Sequence, residues 1–168
     1  MRELPPVGTV WVPERVLDHM VREAERMYPL ESGGVLIGYW VTVEKEVVIT
    51  DATGPGPRAT HEEERFTPDD VHDASEIGWR YESSCHLHSY LGDWHSHPRS
   101  PPWLSRRDRR TLQAIAIQQA STSLVPLMAI IGQEQTHQWE LTFWRFVPRC
   151  EQIRSSGASV LPLKVQQY

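Results

Sequence analysis

Two imidazoles two residues apart, then a hydroxyl and a carboxylate three apart, are the part of this chain best equipped for chemistry: His95-Ser96-His97-Pro98, followed by Ser105 and Asp108. On a strand, residues i and i+2 share a face, so His95 and His97 present their rings side by side. Pro98 cannot donate a ladder hydrogen bond, which ends the strand there. The six residues 99–104 let the chain turn back, and Ser105 and Asp108 then share one face of the helix that follows. Two imidazoles and one carboxylate are three ligands of the kind zinc accepts, one ion per chain, with the fourth position left for water. Zinc so held brings the pKa of water towards neutrality and polarises a carbonyl, which suits hydrolysis of a peptide or amide bond.

Such a site needs a proton acceptor. Glu31, in Glu31-Ser-Gly-Gly-Val-Leu-Ile-Gly38, opens an otherwise apolar strand where a carboxylate has no packing reason to be. The glycines beside it let another backbone or a substrate chain come close. Sequence alone does not place Glu31 near the ion.

Each piece also has a plainer reading. Ser105-Arg-Arg-Asp108 is a helix-capping pattern, H-x-H pairs are common on surfaces, and a strand-edge Glu is usually solvated. It is the conjunction at this spacing that points to a metal. The chain carries its own decoy in His86-Leu87-His88: no proline follows it, and Arg99 stands where an Asp would be needed. His86 and His88 therefore read as structural or surface residues.

The elements that must position these groups follow from periodicity. Pro13 suits a helix start, and Val16, Leu17, Met20, Val21, Ala24, Met27 and Tyr28 form a helical stripe that Pro29 ends. Gly33–Val43 and Val47–Thr50 read as strands with a turn at Glu44–Glu46. Residues 52–60, with two Gly-Pro steps, hold no regular structure, and His61–Arg65 is a polar segment. Thr67-Pro68-Asp69-Asp70 predicts a helix capped by the Thr67 hydroxyl and running to about Ser83. His86–Trp94 reads as the strand leading into His95. Ser105–Ala120 is helical with Leu112, Ile115, Ala116 and Gln119 on one side; Leu124–Ile131, Gln138–Val147 and Val160–Val165 are further strands. The class is α/β or α+β, a central mixed sheet with flanking helices.

Composition bounds the function. At 168 residues and 39% hydrophobic, with seven Trp, the chain has the substance of one core and not two. A net charge of −5 argues against nucleic acid as partner. No apolar run approaches a membrane span, and the first residues lack the apolar stretch of a signal peptide. Two cysteines without a C-x-x-C pair exclude a disulfide scaffold and a thiolate zinc site, so a cytoplasmic setting is expected.

An upstream Glu, then H-S-H-P, six residues and S-x-x-D resembles the JAMM signature of JAB/MPN-domain metalloproteases at every position. The resemblance implies that His95, His97 and Asp108 bind zinc, that Glu31 holds and deprotonates the attacking water, and that Ser105 stabilises the oxyanion. It implies a single JAB/MPN-type domain over 1–168, with similarity across about 10–147 and a C-terminal strand or tail at 151–168. The implied activity is hydrolysis of the isopeptide or peptide bond at the C-terminus of a ubiquitin-like protein. Thr53-Gly-Pro-Gly-Pro57, Arg65-Phe-Thr-Pro-Asp69 and Tyr90-Leu-Gly-Asp-Trp-His95 are similar to stand-alone bacterial JAB proteins. Those are encoded beside ubiquitin-like modifiers and their activating and conjugating enzymes, often in antiphage defence islands. Arg58 in the loop 52–66, Trp103 and Arg106 are the expected substrate contacts. The rivals are a metal-free MPN-type scaffold and a JAB amidase acting on sulfur-carrier or small-molecule adducts.

Overall fold

The computed structural model describes residues 8–42, 45–118, 125–133, 138–147 and 160–168. In chain order the elements are β1 (Thr9–Val12), α1 (Glu14–Met27), β2 (Gly33–Thr42), β3 (Glu46–Ala52), β4 (Thr60–Glu62) and β5 (Arg65–Thr67). They continue with α2 (Asp70–Ser83), β6 (Ser89–His97), α3 (Arg106–Gln118), β7 (Leu127–Gln133), β8 (Trp139–Phe146) and β9 (Val160–Gln167). The expected mixed sheet with flanking helices is present, and it closes on itself in the order β1-β3-β2-β6-β7-β8-β9. Parallel pairs join β1 to β3 and β9 and join β6 to β7; the remaining neighbours run antiparallel. Val43, Glu44, residues 119–120, Leu124 and the tail 151–159, all part of sequence expectations, lie outside the described residues.

Alternation along the strands divides the interior in two. Val16, Met20 and Ala24 of α1 pack with Leu36, Ile49, Trp94, Leu127, Ala129 and Ile131 in the larger core. The intervening residues of β7, Met128 and Ile130, meet Leu104 and Leu112 on the side covered by α3. Strand β6 obeys the same parity. Trp94 and Ser96 are fully buried, while His95 and His97 lie on the opposite face, towards α3. A kink at Gly92, whose φ of 150° suits glycine, shifts the β2–β6 register between Leu36 and Ile37.

Four local expectations are corrected. The cap of α2 is Asp69, whose carboxylate accepts from the His72 N–H, not Thr67. Its other oxygen accepts from the Arg58 backbone and guanidinium, and the Arg58 hydrogen bonds hold the Asp69 carboxyl down at about 2. The strand leading to His95 begins at Ser89, because Cys85 and His86 adopt positive φ after the helix. The polar stretch after residue 60 folds back as the β4–β5 hairpin. Strand β1, absent from the pattern reading, bridges β3 and β9.

Candidate metal centre

Strand parity brings the His95 and His97 rings together, with 3.1 Å between their Nε2 atoms. The carboxylate arrives from α3. Ser105 caps that helix: its Oγ accepts from the Asp108 N–H at 3.2 Å, and Asp108 Oδ2 accepts from the Ser105 N–H at 2.7 Å. This reciprocal box is the plainer reading of S-x-x-D, and it is also what aims the ligand candidate. With Oδ2 tied to its own helix, Oδ1 lies 3.3 Å from His95 Nε2. The cap and the site are one device.

Glu31 reaches the same place from the start of β2. Antiparallel pairing sets Gly33 opposite His95, and the Glu31 carboxylate lies 4.0 Å from His97 Nε2. Gly33 is required there, since a Cβ would sit 2.3 Å from the Trp94 carbonyl oxygen and 2.8 Å from the Phe66 ring. Three residues hold the segment. Ser96, on the reverse face of β6, accepts from the Ser32 N–H at 2.9 Å and donates its own N–H to the Ser32 carbonyl at 2.7 Å. The Glu31 N–H donates to Glu62 in β4. The His61 ring sits 2.8 Å from the Glu31 carbonyl oxygen. Ser96 and His61 escaped the sequence reading, although H-S-H parity already puts the middle residue on the far face.

Electrostatics follow the geometry. Burial pushes the Glu31 carboxyl up to about 7, against the opposing pull of His95. Burial, then the neighbouring His95 ring, lowers His97 below the ordinary imidazole value. Burial works against ionisation of Asp108, but hydrogen bonds from His95 and Ser105 outweigh it and hold the carboxyl below the usual range. A His97 ring held neutral beside an ionised Asp108 carboxylate is the protonation state in which such groups ligate a cation.

The donor atoms of His95, His97 and Asp108 all lie within 4.8 Å of one another, the one such group among the described residues. Bonds of roughly 2.0–2.1 Å to a tetrahedral ion place its ligands about 3.3 Å apart. The 3.1 Å and 3.3 Å separations meet that, and Asp108 Oδ2 stands 3.7 Å from His97 Nε2. The residues fit a metal. His97 Nδ1 faces the Pro101 carbonyl at 3.3 Å, the kind of outer contact that orients a ligand ring.

The centre lies in a cleft of about 810 Å³ whose lining includes Glu31, His95, His97, Ser105 and Asp108. Trp103 and Arg106 also line it, both exposed. Arg58 does not; its guanidinium is engaged by Asp69 at the start of α2. Of the other arginines of α3, Arg107 donates to the Glu64 carbonyl, and Arg109 lies over the Trp144 ring. His86 and His88 stack on Tyr81 and Tyr39, away from the cleft lining.

Removing the Ser96 hydroxyl tests how Glu31 is held. Ser96→Ala leaves the fully buried Ser32 N–H without its acceptor, a loss of about 1–3 kcal/mol of stability. Turnover should fall while metal content stays, because the candidate ligands His95 and His97 are on the opposite face of β6 and Asp108 is on α3. Thermal melts with metal analysis check both; lost metal would mean that Ser96 supports the ligands instead.

Comparison with known proteins agrees with this geometry. Residues 13–147 match the family of prokaryotic homologs of the JAB domain. The chain is 31% identical over 163 residues to a Sinorhizobium fredii protein named probable metalloprotease y4qB, covering 92% of this chain and 97% of that one. It is 31% identical over 113 residues to a Vibrio cholerae protein named CD-NTase/cGAS isopeptidase, covering 67% of this chain and 68% of that one. The solution structure of protein DSY2949 from Desulfitobacterium hafniense matches with a TM-score of 0.68 at 14% identity, over 95% of this chain and 92% of that one. That likeness is one of fold. The named relatives support a peptidase-type activity, and with the donor set they point to a metal.

Proposed function

The chain belongs to the prokaryotic JAB family, and from that premise we propose that it is a zinc-dependent isopeptidase or peptidase. It acts in the cytoplasm as one domain over 1–168 and cuts the bond after the C-terminus of a ubiquitin-like protein. The observation that carries this reading is the convergence of His95, His97 and Asp108 beside a buried Glu31. Relatives named CD-NTase/cGAS isopeptidase favour a conjugate as substrate over a small-molecule amide. The activating and conjugating enzymes of such a system are the implied partners.

His95, His97 and Asp108 would hold the zinc, which supplies Lewis acidity and a lowered water pKa when bound. Water adds to the carbonyl carbon while the Glu31 carboxylate takes its proton. Glu31 returns that proton to the leaving amine as the C–N bond breaks. A carboxyl near 7 suits both transfers. Ser105 Oγ accepts from the Asp108 N–H, which leaves its hydroxyl proton to donate to the developing oxyanion. The Glu31, His97 and Asp108 side chains are only about one-tenth exposed, which limits their contact with bulk water. Among the described residues β5 pairs only with β4, whose Glu62 carbonyl is already taken by the Glu31 N–H, so the outer edge of β5 is the one offered to an extended tail.

Purified protein should contain one zinc per chain and release the modifier from a conjugate. A chelator should abolish turnover, and added zinc should restore it; full activity without metal would end this reading. Activity should fall as pH drops through about 7, because protonated Glu31 cannot accept a proton. Metal loss should come at lower pH than for ordinary imidazoles, because His97 is held neutral. A pH–rate profile beside metal analysis separates the two steps.

A further inference from the structure

Helix α2 is built inside out: the one residue of it that the fold buries is an acid, Asp73. Val71 and Trp79 on the same helix are 66% and 65% exposed. Carboxylates are seldom buried without a partner, yet Asp73 is 8% exposed and its Oδ1 makes no hydrogen bond. The charges that face it are Asp93 of β6 with Asp70 and Asp69 of its own helix, against His72. Burial first, then Asp93, pushes the Asp73 carboxyl up to about 6. Among the described residues no arginine or lysine pairs with Asp73 or Asp93. Asp93 receives a hydrogen bond from the Tyr90 hydroxyl at 2.7 Å.

Both carboxylates line the cleft that holds the metal centre. Asp93 stands two residues before His95 on the same strand and face, a rise of about 7 Å. Pro68 and Phe66 add apolar wall to the same cleft, the surface a methylene stem packs against. A second metal fits poorly, because the three-donor group found among the described residues is His95, His97 and Asp108. A single positive charge on an aliphatic stem fits both features.

We propose that Asp73 and Asp93 form a subsite for a basic side chain, arginine or lysine, carried by the substrate close to its scissile bond. This rests on the reading that hydrolysis occurs at the His95–His97–Asp108 end of the cleft. The free protein keeps a destabilising carboxylate that the substrate neutralises.

The test uses fluorogenic peptides in which one arginine is moved stepwise through the positions before the scissile bond, with citrulline as neutral isostere. At one position arginine should exceed citrulline in kcat/KM by about tenfold or more, and lysine should share the preference. Asp73→Asn should bring that ratio close to one. No discriminating position, or a ratio that survives Asp73→Asn, overturns the subsite. Fluorescein-labelled versions bound to Glu31→Gln protein give the same ratio in Kd without turnover. If no peptide is cut, the hydrolase reading is in doubt, but the binding ratio still decides the subsite. Asp73→Asn should also raise the melting temperature, since it removes an unpaired buried charge; a fall would make Asp73 a structural partner.

Discussion

Glu31→Gln keeps its metal and loses its turnover, by about 10²- to 10⁴-fold in kcat. The expectation comes from distance and charge together. The imidazole nitrogens stand 3.1 Å apart and Asp108 Oδ1 stands 3.3 Å from His95 Nε2, but Glu31 is 4.0 Å from His97 Nε2. A carboxylate that far out is poorly placed as a fourth ligand and well placed to bond a water held between. Burial has tuned its carboxyl to about 7, where a group gains and loses a proton with least penalty at neutral pH. Glutamine preserves the shape of the side chain while removing the base. Elemental analysis beside steady-state kinetics on a conjugate reads both quantities. Loss of the ion would make Glu31 a ligand, and undiminished turnover would assign the base to another group.

Substitution of Asp108 has two effects that can be separated. Asp108→Ala should weaken metal binding by more than the 10- to 100-fold typical of outer contacts and eliminate measurable hydrolysis. It also removes the carboxylate half of the cap on α3, the acceptor of the Ser105 N–H, at about 0.5–2 kcal/mol. Asp108→Asn keeps a carbonyl oxygen for the Ser105 N–H, so most of the stability should return, but the anionic ligand should not. Metal titrations and urea melts on the two variants tell the roles apart. His86→Gln is the control: its ring stacks on Tyr81 outside the cleft, and its zinc content should equal that of the parent. Equal metal loss in the control would point to general unfolding rather than lost ligation.

The parts of the site that sequence reading reached are those governed by short-range rules. Strand parity pairs His95 with His97, and a helix cap aims Asp108, so each is legible within a dozen residues. Glu31 was nameable from its odd place in an apolar run, but its position depends on the β2–β6 register, which no local pattern encodes. Helix α2 shows how close competitors blur a boundary: Thr67 and Asp69 are both good caps, and Asp69 prevails because it also binds Arg58. That pairing also removes Arg58 from the substrate contacts expected of it. His86 and His88 read as the start of the strand running to Trp94, whereas positive φ at Cys85 and His86 makes a turn. Four residues of β1 carry too little periodicity to announce a strand, and only the neighbours β3 and β9 define it.

The division between near and distant contributors has a consequence for how the protein comes into being. His95, His97 and Asp108 belong to one strand–loop–helix unit, whereas Glu31 enters through a pairing between strands far apart in the chain. A nascent or partly unfolded chain could therefore capture its ion early yet stay inert, because the proton acceptor docks only when β2 zips onto β6. Hydrolytic competence thus depends on a long-range strand pairing that the strand–loop–helix unit does not itself contain.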